Sequence, residues 1–354
     1  MQTTTLFREC CRYSLMSLRG VSNPITWLFW KAPWCCTRLA PCSSSVLLLT
    51  YVCLFFFFLV LLLLDVGNKA AVFPLQLLGF EVDVINSVHF SNHTGYSQGW
   101  EGDVLKGDQL RLILDGLQRN QLLDGIQHVL TGYIGSETFL EAILDVITAA
   151  RMNGNVRYVC DPVLGDHGEF YVPQNLVEVY KEKLLPIADV LTPNQFEVEQ
   201  LTGIKVNTLS SAKKACATLH AIGPSLVFIT SCVFSPENGD DKDPKTIAIV
   251  ASRHCPRDDM QKDDNYEQWI LEVPIIPGIY TGTGDLTAAL LLAHTAKFPN
   301  DLARAMEMVS NTMHAVIERT RLYSGESIKS RELKLIQSRG DIENPVLRFR
   351  ARRL

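Results

Sequence analysis

The chain has 354 residues, 47% hydrophobic and 20% charged, with a formal net charge of −5. That length suits one large α/β domain or two ordinary ones, and the apolar content excludes an intrinsically disordered chain. Mild acidity, with no basic stripe away from the two ends, excludes a nucleic-acid-binding class. Six of the ten cysteines precede residue 54, while Cys160, Cys216, Cys232 and Cys255 stand singly. The sparse later set is expected of a reducing compartment without disulfides. The adjacent pairs Cys10-Cys11 and Cys35-Cys36 lack the spacing of a zinc site.

Residues 46–64 hold no charged side chain and include the unbroken apolar run 55–64. Nineteen such residues suffice to cross a bilayer as a helix. Arg8, Arg12, Arg19, Lys31 and Arg38 precede them against a single Glu9. The positive-inside tendency would then hold the N-terminus in the cytoplasm and carry the rest across. Two readings stand: a membrane anchor through residues 46–64, or an extension without selected function that derives from an alternative or misassigned first exon. Residues 1–65 show no helical or strand period, which favours the second. The expected division is an atypical extension over 1–65 and a catalytic domain over 66–354. Residues 61–64, a run of leucines after Val60, are expected to supply a first buried strand.

From Val66 onward the pattern alternates. Residues 80–88 (FEVDVINSV) read as a strand. Leu110, Ile113, Leu114 and Leu117 set a helix over 110–120. Residues 128–130 form a strand that runs into Thr131-Gly132-Tyr133. A helix over 136–151 has Ser136 as its cap. The strand 157–160 ends at Asp161-Pro162. The helix 177–185 is followed by the strand 188–191, which ends at Thr192-Pro193-Asn194. The helix 211–222 leads to the strand 226–230, which ends at Thr230-Ser231. Helices over 285–297 and 302–322 close the series. This alternation predicts a mostly parallel central sheet with helices on both faces. Ligands in such sheets sit beyond the carboxyl ends of the strands, where Asp161, Thr192, Asn194, Thr230 and Ser231 all fall.

The turn Gly282-Thr283-Gly284-Asp285 opens the helix at 285–297. Glycines let backbone N–H groups approach an oxyanion, and the helix start adds unpaired N–H groups and a positive dipole end. Such a turn stabilises a phosphoryl group in transfer. An aspartate beside it is placed to take a proton from an attacking hydroxyl. Taken as four letters, the same turn also reads as a plain helix start with an Asp cap.

The wider context decides between these. Residues 280–285 (YTGTGD) resemble the signature of ribokinase-like small-molecule kinases. Residues 68–80 (NKAAVFPLQLLGF), 90–96 (FSNHTGY), 130–133 (LTGY), 159–166 (VCDPVLGD), 171–173 (YVP) and 192–203 (TPNQFEVEQLTG) are similar, in order and spacing, to the pyridoxal kinases, and in particular to the animal forms. The resemblance covers about residues 66–345. It implies an α/β ribokinase-like fold and ATP-dependent phosphorylation of the 5′-hydroxymethyl group of pyridoxal, pyridoxine or pyridoxamine. It implies Mg2+ or Zn2+ with ATP, a monovalent cation (K+ or Na+), a homodimer and a cytosolic location.

By matched position, the resemblance makes Asp285 the base and Gly282, Thr283 and Gly284 the anion hole. Thr94, Tyr133, Phe90 and Val66 surround the vitamin. Asp161, Asp166, Tyr171, Asn194, Glu197, Thr230, Ser231 and Thr283 meet ATP, with Asp166 and Tyr171 in a flap. Asp161, Glu197 and Thr192 are the metal set. His89 and His93 are expected in loops or at the surface. The chain departs from the family at its start, where only Val66-Gly67-Asn68 survives of the usual strand, Ser-His pair and turn. The flap is short, Thr287 stands where an aromatic is common, and the tail 348–354 is basic. A missing first strand leaves an impaired or inactive kinase as the alternative.

Overall fold

The computed structural model describes residues 53–60 as backbone, and 67–234, 245–255, 265–323, 325 and 328–354 in full. They belong to one compact unit, Thr50–Leu354. Among the described residues the main sheet has ten strands. Its centre is formed by β1 (Cys53–Val60), β2 (Glu81–Phe90), β4 (Ile126–Thr131), β5 (Arg157–Cys160), β8 (Val190–Leu191) and β9 (Leu226–Cys232). They lie side by side in the order β2-β1-β4-β5-β8-β9, and every neighbouring pair is parallel. β3 (Gly102–Val104) adds antiparallel to β2 at one edge. At the other, β10 (Thr246–His254), β11 (Tyr266–Pro274) and β12 (Arg352–Arg353) continue antiparallel. β6 (Gly165–Asp166) and β7 (Glu169–Phe170) form a separate hairpin.

The first strand corrects the expectation for the N-terminus. β1 is Cys53–Val60, paired on both sides, with Phe56 opposite Val84 of β2 and Leu130 of β4. Residues 61–64, assigned that place from sequence, lie outside the described residues. Eight of the nineteen residues in the candidate span therefore run as strand, and residues 46–52 also lie outside. Among the described residues no helix is long and apolar enough to cross a membrane. The sheet does not lack its first strand, which removes the missing strand as a reason for an impaired kinase. The expected boundary at 65/66 lies in the connection between β1 and α1 (Asn68–Leu77).

The inner strands alternate in where their side chains go, as strands covered on both faces require. Val129, Tyr158, Cys160, Leu191, Val227 and Ile229 pack on one side. The helices there are α2 (Gly107–Arg119), α3 (Glu137–Asn153) and α6 (Leu209–Ile222), contributing Leu114, Ile143 and Leu219. Leu130, Val159, Val190 and Phe228 pack on the other, with α1, α7 (Thr283–Lys297) and α8 (Leu302–Leu322). α7 is buried without a break from Leu286 to Thr295. This explains its run of Leu and Ala with no polar stripe.

Ser136 caps α3, its hydroxyl accepting from the Phe139 N–H at 3.4 Å, as its position before an apolar period suggests. The expected helix at 177–185 begins as α4 (Leu176–Val179) but continues in π-helical and 3-10 turns to Ile187. α5 (Gln195–Thr202) and the pair β10–β11 are further elements, beyond those expected from hydrophobic period.

Candidate active site

The site is built on backbone ladders that run one residue past the strands. The Asp161 N–H donates to the Thr131 carbonyl at 2.9 Å, and the Thr192 N–H to the Cys160 carbonyl at 3.1 Å. These bonds hold Asp161 and Thr192 beside each other at the ends of β5 and β8. Their side chains then meet, the Thr192 hydroxyl donating to Asp161 Oδ1 at 2.9 Å. Asp161 is only 4% exposed, and its Oδ2 has no hydrogen-bond partner. Burial, then the nearby charge of Asp285, pushes its carboxyl up to about 8.

The Gly-rich turn lies over this acid. Gly282 takes φ 92° as it caps α7, a left-handed conformation that favours glycine. A Cβ placed on Gly284 would sit 3.8 Å from Asp161 Oδ2. Asp285 is half-buried in the first turn of α7. Its Oδ2 accepts from the Gly67 N–H at 2.8 Å. Burial raises its carboxyl to about 6, against the lowering effect of that bond. Gly67, at φ 59° and ψ −134°, turns its N–H to the acid from just before α1. Sequence reading kept Gly67 as a surviving family residue without giving it this role.

Glu197 is 4% exposed and bound to the chain through both oxygens. Oε1 accepts from the Leu164 N–H at 3.0 Å and Oε2 from the Asn194 N–H at 2.8 Å. Asn194 Oδ1 accepts in return from the Glu197 N–H at 2.9 Å, a reciprocal cap on α5. Burial, then Asp161, pushes the Glu197 carboxyl well above its usual range. Asn194 Nδ2 also donates to the Gly165 carbonyl at 2.8 Å, which ties α5 to the β6–β7 hairpin. That hairpin is the expected flap. Asp166 is half-buried at its base, His167 and Gly168 form its turn at φ 50° and 85°, and Tyr171 beyond it is exposed. Thr230 and Ser231 are half-buried near the end of β9, and the Thr230 N–H donates to the Pro193 carbonyl at 3.0 Å.

The expected vitamin wall gathers at the end of β2. Phe90 and Val88 are buried, with Tyr96, Val104 and Tyr133 packed against them. Trp100, which the sequence did not single out, stacks on Phe90 with ring centroids 3.7 Å apart. Thr94 is exposed in the same loop, and Val66 lies outside the described residues. His89 is exposed as expected; His93 is in the loop but buried. Thr287, noted as a departure from the family pattern, donates to the Thr283 carbonyl at 2.8 Å inside α7.

Among the described residues no group of three or more His, Cys, Asp or Glu is arranged to hold a metal ion. A hydrated Mg2+ does not need one, since it takes one or two carboxylates and completes its shell with water and phosphate. The buried, unpartnered Asp161 Oδ2 fits such an ion. Glu197 fits a supporting part, because both its oxygens already bind backbone N–H groups.

A Gly-rich turn at the start of a buried helix, a carboxylate within it, and an acid pair beyond the carboxyl ends of parallel strands are the features of a ribokinase-like small-molecule kinase. The profile of the phosphomethylpyrimidine kinase family matches residues 108–329. The chain is 47% identical over 294 residues to a pyridoxal kinase of Arabidopsis thaliana, covering 81% of this chain and 90% of that one. It is 41% identical over 293 residues to the Homo sapiens pyridoxal kinase, covering 79% and 91%. Identity is thus higher to this plant relative than to the human one, against the expected likeness to animal forms. The structure of a Leishmania donovani pyridoxal kinase in complex with ADP and pyridoxamine matches with a TM-score of 0.76 at 32% identity, covering 85% of this chain and 99% of that one. The chain belongs to the pyridoxal kinase family.

Proposed function

We propose that this chain transfers the γ-phosphoryl group of ATP to the 5′-hydroxymethyl group of pyridoxal, pyridoxine and pyridoxamine, giving pyridoxal 5′-phosphate from pyridoxal. The observation that carries this reading is the Asp285 carboxylate at the Gly282–Gly284 turn, raised by burial to about 6. At neutral pH it is mostly ionised, yet close enough in pKa to accept a proton from a hydroxyl as the bond to phosphorus forms. The Gly282, Thr283 and Gly284 backbone and the start of α7 hold the charge on the phosphoryl oxygens. Phe90, Tyr133 and Val66 give the pyridine ring flat apolar contact, and Thr94 a polar one.

Asp166, Tyr171, Asn194, Glu197, Thr230 and Ser231 meet ATP, and the short hairpin closes over it. Asp161 would hold Mg2+ or Zn2+, with Thr192 and Glu197 orienting it; such an ion supplies neutralisation of phosphate charge. K+ or Na+ supports nucleotide binding, and the working form is a cytosolic homodimer. Incubating purified chain with ATP, Mg2+, K+ and each vitamer, and following product by mass, tests the reading. A gain of one phosphate on all three vitamers is expected. Phosphorylation of a hydroxymethylpyrimidine and of no vitamer would overturn it.

A further inference from the structure

One side-chain bond joins the vitamin loop to the segment behind the Gly-rich turn. Tyr96 Oη donates to Glu332 Oε1 at 3.1 Å. Tyr96 stands two residues after Thr94, and its ring packs on His93 with centroids 4.7 Å apart and on the Val88–Phe90 cluster. Glu332 is 3% exposed. Its backbone lies parallel to Thr281 in an isolated bridge, and the Thr281 N–H donates to the Arg331 carbonyl at 3.1 Å. Thr281 precedes Gly282, the cap of α7. Two hydrogen bonds thus lead from the loop expected to hold the vitamin to the turn expected to hold the phosphate.

A buried acid is a poor choice for stability alone, because desolvation cancels much of what its bonds return. An apolar pair would serve better as plain packing. The Tyr96–Glu332 bond moreover links two site loops rather than two core elements. Burial and the neighbouring acid both raise the Tyr96 phenol, so it remains a donor at physiological pH.

We propose that Glu332 is a positioning residue for phosphoryl transfer: through Tyr96 it sets the vitamin loop against the Gly282–Asp285 turn, so that the acceptor hydroxyl meets the base. The proposal rests on the functional reading above. Near-attack geometry is demanding, and a small displacement of one loop relative to the other lowers the rate without touching the chemistry. Apart from Thr283 and the Gly-rich turn, the residues assigned to ATP lie in segments that the Tyr96–Glu332 bond does not join, so ATP binding depends less on the latch than vitamin placement does.

The test uses Tyr96→Phe, Glu332→Gln, Glu332→Ala and the double variant Tyr96→Phe/Glu332→Ala in the full chain. Tyr96→Phe is expected to lower kcat/KM for pyridoxal about tenfold, the scale of a lost hydrogen bond to a charged group, with KM for ATP within about twofold. Glu332→Gln keeps an oxygen to accept from Tyr96 and should restore activity to within about threefold of the parent. The double variant should be no worse than the poorer single one, because both remove the same bond. Additive losses, a normal Tyr96→Phe enzyme, or a defect confined to ATP would overturn the latch. Tyr96→Phe loses one oxygen and keeps its ring, so it remains decisive if Glu332→Ala fails to fold. A parent enzyme inactive on every vitamer overturns both this inference and the functional reading; an active parent matched by Tyr96→Phe overturns the latch alone.

Discussion

Replacing Asp285 with Asn isolates the proton-accepting charge. The amide oxygen still accepts from the Gly67 N–H, now held at 2.8 Å by the carboxylate, so the turn keeps its tie to the start of α1. General-base catalysis contributes roughly 100- to 10,000-fold, and kcat should fall within that range while nucleotide binding persists. The pH profile gives an independent reading of the same group. Its carboxyl is raised to about 6, chiefly by burial. The base works only when deprotonated, so the parent rate rises with pH and levels off above the folded pKa. With a pKa of about 6, kcat/KM should be roughly tenfold lower at pH 5 than at pH 7, whereas an ordinary aspartate would leave it nearly flat. Substrate ionisation also contributes to such profiles. Residual turnover by Asp285→Asn controls for it, because the variant should lose that acid limb. Steady-state assays with pyridoxine from pH 5 to 8 decide the matter. A variant that keeps more than about a tenth of parent kcat, or that keeps the acid limb unchanged, would refute the assignment.

Asp161→Asn should stabilise the ligand-free protein in alkali. A carboxyl raised to about 8 contributes stability that is complete below its unfolded pKa and lost as pH rises through the folded one. The neutral amide escapes that loss, and an increase in Tm of about 2–4 °C at pH 8.5, shrinking toward pH 5, is expected by calorimetry; an increase independent of pH would count against the shift. Chains begun at residue 50 and at residue 66 should behave differently, because the second lacks β1 and its two ladders. The first should fold, and a folded, soluble product from the second would show that the strand is dispensable. Trp100→Ala should raise KM for pyridoxal about 2- to 10-fold, the range of an aromatic pair, with little effect on ATP; an unchanged KM would remove Trp100 from the site.

Much of the fold was legible because the parallel strands are short apolar runs that end in polar clusters. Asp161 and Thr192 follow β5 and β8 directly, and the ladder bonds that extend those strands fix both residues. Helix starts with a cap were legible for the same local reason, as at Ser136. β1 was harder to place. An unbroken apolar run has no period, so Cys53–Val60 cannot be told from the leucines after it or from part of a membrane helix. Pairing with β2 and β4 chooses the register, and that information lies in other segments. The Gly67–Asp285 bond spans 218 positions and Tyr96–Glu332 spans 236. Local pattern carries neither.

The three acids show why spacing alone did not assign their work. Asp161, Glu197 and Asp285 are all acidic side chains near strand ends or helix starts, and each matched a family position. Their surroundings separate them. Asp285 receives one backbone N–H and is half-buried, so it ionises first. Asp161 is buried with one bare oxygen and feels the charge of Asp285, so it resists ionisation until a cation or donor arrives. Glu197 spends both oxygens on backbone N–H groups at 164 and 194, which fixes the base of the β6–β7 hairpin and the start of α5. Pairs of acids whose pKa values are driven apart mark distinct roles. Here the order of ionisation leaves an ionised carboxylate at the turn and disfavours negative charge on Asp161. A divalent ion entering with phosphate would reverse the penalty on Asp161, so that cation binding and ionisation of that acid reinforce each other.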